Sequence, residues 1–164
     1  MTKKLVWLIF AVSVVVLLAL DLWLKHWAAA NLQGQPDRVL IEGLLGLRYL
    51  RNHGGFFGFL ANFGGAQILL SVLKIVILGG LGWYYHRLPT ERKFWYMRVP
   101  IILIFAGGVG NLVDRVALGY VRDMLRFLFW ENFAIFNLAD VYVTVGVFAL
   151  MIVGLFIVKD FPFP

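Results

Sequence analysis

The chain has 164 residues, of which 62% are hydrophobic and 15% are charged. A soluble domain is closer to half apolar and a quarter charged, so this composition indicates a membrane protein, here a single domain over residues 1–164. There is no cysteine, which excludes a disulfide framework, a thiol nucleophile and a thiolate metal site. The net charge of +6 comes from residues gathered at the ends of apolar segments, so we expect no nucleic-acid partner.

A basic amino terminus precedes the first apolar run, which predicts a transmembrane helix over residues 5–24, about the length that hydrocarbon requires. No small-x-small cleavage site closes this run, so we interpret it as a retained helix and not as a signal peptide. Asp21 and Lys25 are four residues apart and share a helix face. They form either an interfacial ion pair worth roughly a few tenths of a kcal/mol or a pair that orders a site.

Residues 31–65 contain glycine, proline and dispersed charges, as expected of a segment outside the bilayer. Two short runs, at 38–42 and 47–51, predict strands separated by a glycine-containing turn. Open sheet edges are not tolerated in hydrocarbon, so we place this β-rich segment on the membrane surface. The loop at 52–60 interleaves three glycines with aromatic residues. It either approaches a ligand closely or anchors the chain at the interface.

Three further apolar segments predict transmembrane helices over residues 66–85, 98–115 and 138–158. Lys74 falls near the middle of the first of these, where it either faces the protein interior or snorkels towards the surface. A glycine-rich face in the next span allows another helix to pack closely; it consists of Gly107, Gly108 and Gly110. The last two spans are joined by a connector over 117–136, long enough to carry function.

Four spans place both termini on one side of the membrane. The basic residues Lys3, Lys4 and Lys159 and the basic loop at 87–98 share that side, so the positive-inside rule makes it cytoplasmic. The β-rich segment and the connector then lie outside, at the outer face of a bacterial inner membrane. This topology brings residues from most of the chain to one boundary: Asp21, Asn52, Asp114, Asp123 and Asp140.

The motif Asn-Leu-x-Asp occurs twice, ending at Asp114 and at Asp140. Two carboxylates held close together share one proton, so one can take a proton from water while the other donates to a carbonyl oxygen. This chemistry hydrolyses a peptide without metal or thiol. Spacing alone favours pairing Asp114 with Asp140. Asp123 can equally be a connector carboxylate paired with Arg122 or Arg126.

Other catalytic chemistries have little support. The three histidines are scattered along the chain and do not have metal-ligand spacing, so we expect no metal and no cofactor. The only two serines, Ser13 and Ser71, fall within predicted spans, and no Gly-x-Ser-x-Gly motif occurs.

The motifs together resemble bacterial lipoprotein signal peptidase, also called signal peptidase II, over nearly the full length. Asp21-Leu-Trp-Leu-Lys25 resembles the family's Asp-Gln-x-x-Lys motif, and Asn52-His-Gly54 resembles its Asn-x-Gly loop. The segment from Gly107 to Arg115, followed by Val121-Arg-Asp123, resembles the block around the first catalytic acid. Phe136-Asn-Leu-Ala-Asp140 resembles the block that holds the second, and these last two blocks are highly specific.

The resemblance implies a mainly α membrane enzyme with four transmembrane helices, a small extracytoplasmic β-cradle and a periplasmic connector between helices 3 and 4. It implies an aspartyl dyad of Asp123 and Asp140, in place of the pair chosen from spacing. The substrate it implies is a diacylglyceryl-modified prolipoprotein, cut just before the lipidated cysteine. We also expect the enzyme to be a monomer in contact with membrane lipid. Positions matching substrate-binding residues are Asn52, Gly54, Asn111, Arg115 and Asn137; supporting positions are Asp21, Lys25 and Asp114.

The chain departs from the family pattern at Leu22, at Gly55-Phe56 and at the neighbours of Asp123. A cation beside Asp123 favours its ionised form, so Arg122 predicts that Asp123 is the base and Asp140 the acid. Two other functions stay open. A small proton-coupled transporter or channel subunit would use intramembrane acids as a relay, and a structural lipid-binding protein would not need them ionisable.

Overall fold

The computed structural model describes residues 1–53 and 66–157 of the chain. Gly54 and the rest of the predicted loop through residue 60 lie outside the described residues, as does Lys159. Four long helices form the body of the protein: α1 (Lys3–Leu32), α2 (Ala66–Arg87), α3 (Trp95–Leu118) and α4 (Leu138–Ile152). A short 3-10 turn, Arg92–Phe94, leads into α3, and a π-helical turn, Val153–Ile157, follows α4.

The described ranges contain four helical segments that are long and apolar enough to cross a membrane. Their outer surfaces are apolar: Val16, Val76 and Phe148 are 52%, 65% and 59% exposed. Such surfaces suit hydrocarbon, where a helix satisfies its own backbone hydrogen bonds. The prediction of a mainly α membrane protein with four spans is therefore confirmed.

The first helix is longer than its apolar run predicts. It continues past residue 24 to Leu32. The extra turns persist because Ala28 and Leu32 are buried against Met124 and the sheet residues around it. Tertiary packing thus sets the end of α1, rather than the thickness of a bilayer.

A three-stranded antiparallel sheet lies at the end of the body where α1 and α3 finish and α2 and α4 begin. Its strands, in spatial order, are β1 (Arg38–Ile41), β2 (Leu45–Asn52) and β3 (Val121–Phe127). The turn between the first two contains Gly43 with a φ of 67°, a left-handed conformation that favours glycine. Both strands predicted from the sequence are confirmed.

The third strand was not predicted, because residues 117–136 were interpreted only as a connector. In the antiparallel pairing, Leu50 lies opposite Asp123 and Asn52 lies opposite Val121. This register brings the end of β2 beside the acid on β3. The connector then returns to the sheet, where the Phe136 nitrogen donates to the Leu125 carbonyl at 2.9 Å.

At the opposite end of the body, the buried guanidinium of Arg98 caps α2. Its Nη1 atom donates to the carbonyl oxygen of Tyr85 in the last turn of α2 at 3.3 Å, and its Nη2 atom donates to those of Leu88 and Pro89, just beyond the helix, at 2.8 and 3.1 Å. The last carbonyls of a helix have no partner within the helix, so a cation at this position is favourable. The end of the body opposite the sheet is thus fixed by a buried polar group.

Helix α3 packs centrally because it carries glycine on several faces. A Cβ atom at Gly107 would lie 2.9 Å from Cγ2 of Val143 and would press on the carbonyl of Ala139, both in α4. A Cβ atom at Gly110 would lie 2.6 Å from Oδ2 of Asp21 in α1. These contacts leave room only for hydrogen, so the approach of α3 to α4 and α1 depends on glycine.

We expect Gly107→Ala to destabilise the protein by about 1–3 kcal/mol, because the methyl group must displace backbone of α4. The midpoint of thermal unfolding in detergent, followed by tryptophan fluorescence, measures this loss. Gly79→Ala is the matched control, since no described atom lies within 4 Å of a Cβ at Gly79 in α2. Equal midpoints for the two variants would contradict the packing argument.

Candidate active site

Strand β3 directs alternate side chains to opposite faces. Val121, Asp123 and Phe127 line an internal cavity, whereas Arg122 and Met124 contact the body behind the sheet. Asp123 is only 1% exposed. The Nδ2 atom of Asn52, at the end of β2, donates to Oδ2 of Asp123 at 2.9 Å. The antiparallel register therefore supplies the first partner of this buried acid.

Asp140 lies in the first turn of α4 and belongs to a reciprocal capping box. The Asp140 nitrogen donates to Oδ1 of Asn137 at 2.9 Å, and the Asn137 nitrogen donates to Oδ2 of Asp140 at 3.1 Å. The second Asn-Leu-x-Asp motif is thus a helix start signal as well as a site motif. The Asp140 carboxylate is therefore fixed at the N-terminus of α4 by the backbone.

Two asparagine amides connect the acids. Asn137 Nδ2 donates to Oδ1 of Asp123 at 2.6 Å and to Oδ1 of Asn111 at 3.0 Å. Asn111 Nδ2 in turn donates to Oδ1 of Asp140 at 2.7 Å. Both acids and Asn111 line the same cavity. The structure therefore brings together two carboxylates that are 17 residues apart in the chain.

A buried cluster of charges supports this amide bridge from behind. Lys25 Nζ lies 2.7 Å from Oδ2 of Asp21 and 3.9 Å from Oδ2 of Asp114, and it donates to Oδ1 of Asn111 at 3.0 Å. Oδ1 of Asp21 accepts the backbone N–H of Ala139 at 2.9 Å, so α1 also caps α4. Lys25 and Asp21 are 0% and 1% exposed. The interfacial interpretation of this pair is wrong, because both side chains are buried in the body.

Asp114 does not have the role that spacing suggests. Its carboxylate is bound by Arg122, whose Nη2 and Nε atoms lie 2.7 and 3.1 Å from its two oxygens. The backbone N–H of Arg122 donates to the same carboxylate at 3.0 Å. Asp114 is not among the described residues that line the cavity with Asp140. The pairing of Asp114 with Asp140 is therefore wrong, because α3 turns this residue towards the base of β3.

The cations next to Asp123 in sequence also bind elsewhere. Arg122 binds Asp114, and Arg126 pairs with Asp37 at the surface of the sheet. Neither neutralises Asp123, since side chains one residue away along a strand point to the opposite face. Burial, and then the nearby charge of Asp140, raise the pKa of Asp123 to about 7. The expected cation beside Asp123 is therefore absent, because Arg122 is turned towards Asp114.

The cavity has a volume of about 460 Å³. Its polar wall carries Asn52, Asn111, Arg115, Asp123 and Asp140, five of the residues singled out from the sequence. Asn137 is buried behind the two acids, and Gly54 lies outside the described residues. Much of the remaining wall is apolar, including Leu70, Phe127, Phe133, Phe136, Val141 and Val145. A mostly apolar pocket with a few convergent polar groups is typical of a binding site for an apolar ligand.

Lys74 also lines the cavity, which the sequence did not decide. Leu70 is one turn earlier in α2 and lines the same wall, and Leu78, one turn later, packs over Gly108 of α3. This stripe at four-residue spacing faces the body, whereas Val72 and Val76 are exposed on the outer surface. Of the two interpretations of Lys74, the structure supports the inward-facing one.

Across residues 1–53 and 66–157, no group of three or more His, Cys, Asp or Glu side chains has the arrangement of a metal site. The acids that face the cavity are instead oriented by amides and by a helix N-terminus. The fold and this arrangement define a class: a four-helix membrane protein with two carboxylates that are connected through asparagine side chains in a mostly apolar cavity.

The chain belongs to the signal peptidase II family, whose model matches residues 13–156. It is 40% identical over 142 residues to a lipoprotein signal peptidase of Streptococcus thermophilus, covering 87% of this chain and 89% of the relative. It is 41% identical over 144 residues to the enzyme of that name from Streptococcus pneumoniae, covering 88% and 90%. The resemblance drawn from the motifs is thereby confirmed.

The fold has counterparts among solved structures. A bacterial membrane enzyme determined at 1.9 Å resolution has a TM-score of 0.78 and 28% identity to this chain, covering 93% of this chain and 94% of its own. A second, at 2.3 Å resolution, has a TM-score of 0.75 at 28% identity, covering 89% and 87%. The family identifies the protein as a bacterial membrane protease that acts on lipoproteins.

We expect Lys25→Met to lower the free energy of unfolding by about 3–5 kcal/mol, because it leaves the buried carboxylate of Asp21 without its cation. Lys93→Met is the control: Lys93 also pairs with an acid, Glu91, at 2.8 Å, but both side chains are more than 60% exposed. Its loss should change stability by about 0–1 kcal/mol. Similar unfolding midpoints for both variants would show that the buried cluster contributes no more than a surface pair.

Proposed function

We propose that the chain is an aspartyl endopeptidase that removes the signal peptide from diacylglyceryl-modified prolipoproteins, just before the lipidated cysteine. The observation that carries this proposal is the single amide bridge, through Asn137 and Asn111, between Asp123 and Asp140 in one cavity. Two such carboxylates can hold one proton and activate a water molecule between them. The family membership supplies the reaction class, and the cavity chemistry supports this mechanism.

The two acids have different environments, which supports a division of roles. Asp123 is buried on a strand and its pKa is raised to about 7, so it holds the shared proton. Asp140 is half-buried at a helix N-terminus, where an ionised carboxylate is favoured. In this mechanism Asp140 takes a proton from water as the hydroxyl attacks the peptide carbonyl, and Asp123 donates its proton to the carbonyl oxygen. The protonated Asp140 then donates to the leaving amine as the C–N bond breaks, and Asp123 takes back the proton of the diol hydroxyl as the new carboxyl group forms.

Asn52, Asn111 and Arg115 are proposed to hold substrate groups beside the dyad. Asn52 and Arg115 lie on the cavity wall from two elements, β2 and α3 respectively. Asn111 uses both ends of its amide within the protein, so its role is to fix Asp140 as well as to border the substrate. Gly54 is also proposed as a substrate-binding residue, on the resemblance of Asn52-His-Gly54 to the family's Asn-x-Gly loop alone.

The membrane setting supports a lipid-modified substrate. The apolar wall of the cavity is continuous with α4 residues that face the lipid side of the bundle, such as Val145, which is 51% exposed. Acyl chains can stay in hydrocarbon while the scissile bond reaches the acids. We propose that the enzyme acts as a monomer in the inner membrane.

The proposed orientation places the site at the outer face and both termini in the cytoplasm. Lys3, Lys4 and the basic loop after α2 lie at the end of the body away from the sheet, where the terminal amine of Met1 donates to the Thr90 carbonyl at 3.4 Å. The positive-inside rule assigns such an end to the cytoplasm. At the sheet end, Arg122 and Arg126 are engaged by Asp114 and Asp37.

Asp123→Asn and Asp140→Asn should each lower cleavage of a lipidated precursor peptide by roughly 10²–10⁴-fold or more, because an amide can neither take nor give the proton. The purified variants are assayed by release of the signal peptide, with and without a chelator. Asp37→Asn is the control, since Asp37 is exposed on the sheet. Near-normal turnover by either dyad variant, or loss of activity on chelation, would refute the aspartyl mechanism.

The pH profile tests which acid holds the proton. As pH rises through about 7, Asp123 ionises, the dyad loses its proton and kcat/KM should fall. The hydrogen bond from Asn52 lowers the pKa of Asp123, so Asn52→Leu should raise that pKa further and move the falling limb to higher pH. Profiles of kcat/KM between pH 5 and 9 measure the shift independently of the height of the curve.

His53→Gln is the control for this profile, because a histidine side chain commonly titrates in the same range. His53 follows Asn52 and is exposed, and its ring lies 5.4 Å from that of Tyr120. Its replacement should leave the limb where it is. If the falling limb moved with His53→Gln and not with Asn52→Leu, the titrating group would be His53 and not Asp123. That result would contradict the proposed mechanism.

A further inference from the structure

The mechanism above does not use the lysine on the wall of the cavity. Lys74 is half-buried in α2 and lines the same cavity as Asp123 and Asp140. A lysine inside a membrane span is costly and usually has a task. Because Lys74 shares a cavity with the two acids, we consider a role in binding the substrate.

Lys74 lacks the protein partners that the buried lysine has. Lys25 is fixed by Asp21 and Asn111. By contrast, within the part of the chain that the structure describes, Lys74 forms no hydrogen bond and no ion pair. Three N–H donors therefore point into an apolar cavity with room for a ligand.

The position of Lys74 along the cavity indicates which part of a ligand it would meet. It lies eight residues, or about 12 Å of helix, from the start of α2 at the sheet end, whereas Asp140 lies in the first turn of α4 at the same end. Lys74 is therefore deeper in the body than the acids. A peptide that enters the bilayer from the dyad passes Lys74 with the residues on the membrane side of the cleaved bond.

We propose that the Lys74 ammonium donates a hydrogen bond to a main-chain carbonyl of the substrate, on the amino-terminal side of the scissile bond. This inference rests on the proposed function. A signal peptide must be extended where it is cut, and its carbonyls there lose their helical partners. In an apolar cavity an unpaired carbonyl is costly, whereas a donor on the wall satisfies it. Lys74 is thus a substrate-positioning residue.

The first test compares Lys74→Met with Ile75→Met in the full-length protein. Methionine keeps the length of the stem and is apolar, so we expect Lys74→Met to fold with an unchanged unfolding midpoint. It should raise KM for a lipidated precursor peptide by roughly 10- to 100-fold, with kcat nearly unchanged, because the bond is made in both ground and transition states. Ile75, which is 55% exposed on the outer surface, should tolerate methionine.

Two further arms identify the acceptor. Lys74→Arg keeps cationic donors and should recover most of the loss. A precursor peptide with a thioamide in place of one amide, just before the scissile bond, offers a weaker acceptor. Scanning the thioamide over successive positions should find one that weakens binding to the Lys74 protein and has little further effect on Lys74→Met.

Binding of the same peptides to Asp140→Asn protein, followed by fluorescence, measures the contact without cleavage. If the unaltered protein does not cleave, the proposed function fails, while the binding arm still decides the role of Lys74. The inference is overturned if Lys74→Met matches Ile75→Met. It is also overturned if Lys74→Met lowers kcat at constant KM and shifts the pH limb, which would mean that the lysine tunes the dyad instead.

Discussion

The site depends on one side chain, the amide of Asn137. Its oxygen accepts the backbone N–H of Asp140 in the first turn of α4, and this fixes which way its two N–H bonds point. One of them then reaches Asp123 and the other reaches Asn111, which holds Asp140. A buried polar network is stable only when each donor and acceptor is used. The same hydrogen bond that starts the helix therefore sets the separation and orientation of the two acids.

The charges behind this bridge keep the bundle together without acting on the site directly. Lys25 and Arg122 are balanced by Asp21 and Asp114, and this closed set links α1, α3 and β3. A cluster whose charges balance can be buried, whereas any one of its members alone could not. Because Asp21 also caps Ala139, the position of α4 is tied to α1. The two acids in the cavity are left to amides, which orient them without neutralising them.

Apolar runs and turn residues were enough to predict the four spans and the first two strands, because hydrocarbon and glycine impose strong local patterns. The site could be located at one end of the bundle from topology, yet its acids could not be paired from spacing. Asp114 and Asp140 end two copies of the same motif, but the copies have different roles. The copy that ends at Asp140 forms a capping box at the start of a helix, whereas Asp114 binds an arginine near the end of one. The alternation of β3 was the missed signal. Interpreting residues 121–127 as a strand would have placed the side chains of Asp123 and Arg122 on opposite faces of the sheet.

The environments of the two acids explain why a pair of chemically identical groups can take different roles. Asp123 is on a strand, and its side chain is buried between the sheet and the body. It therefore has almost no contact with water, and its pKa is raised. Asp140 is at the start of a helix on the wall of the cavity, where its carboxylate accepts the backbone N–H of Asn137. This asymmetry is a property of the fold, since it follows from a strand meeting a helix N-terminus. The division of roles that we propose therefore depends on the placement of β3 and α4 and not on a single neighbouring cation.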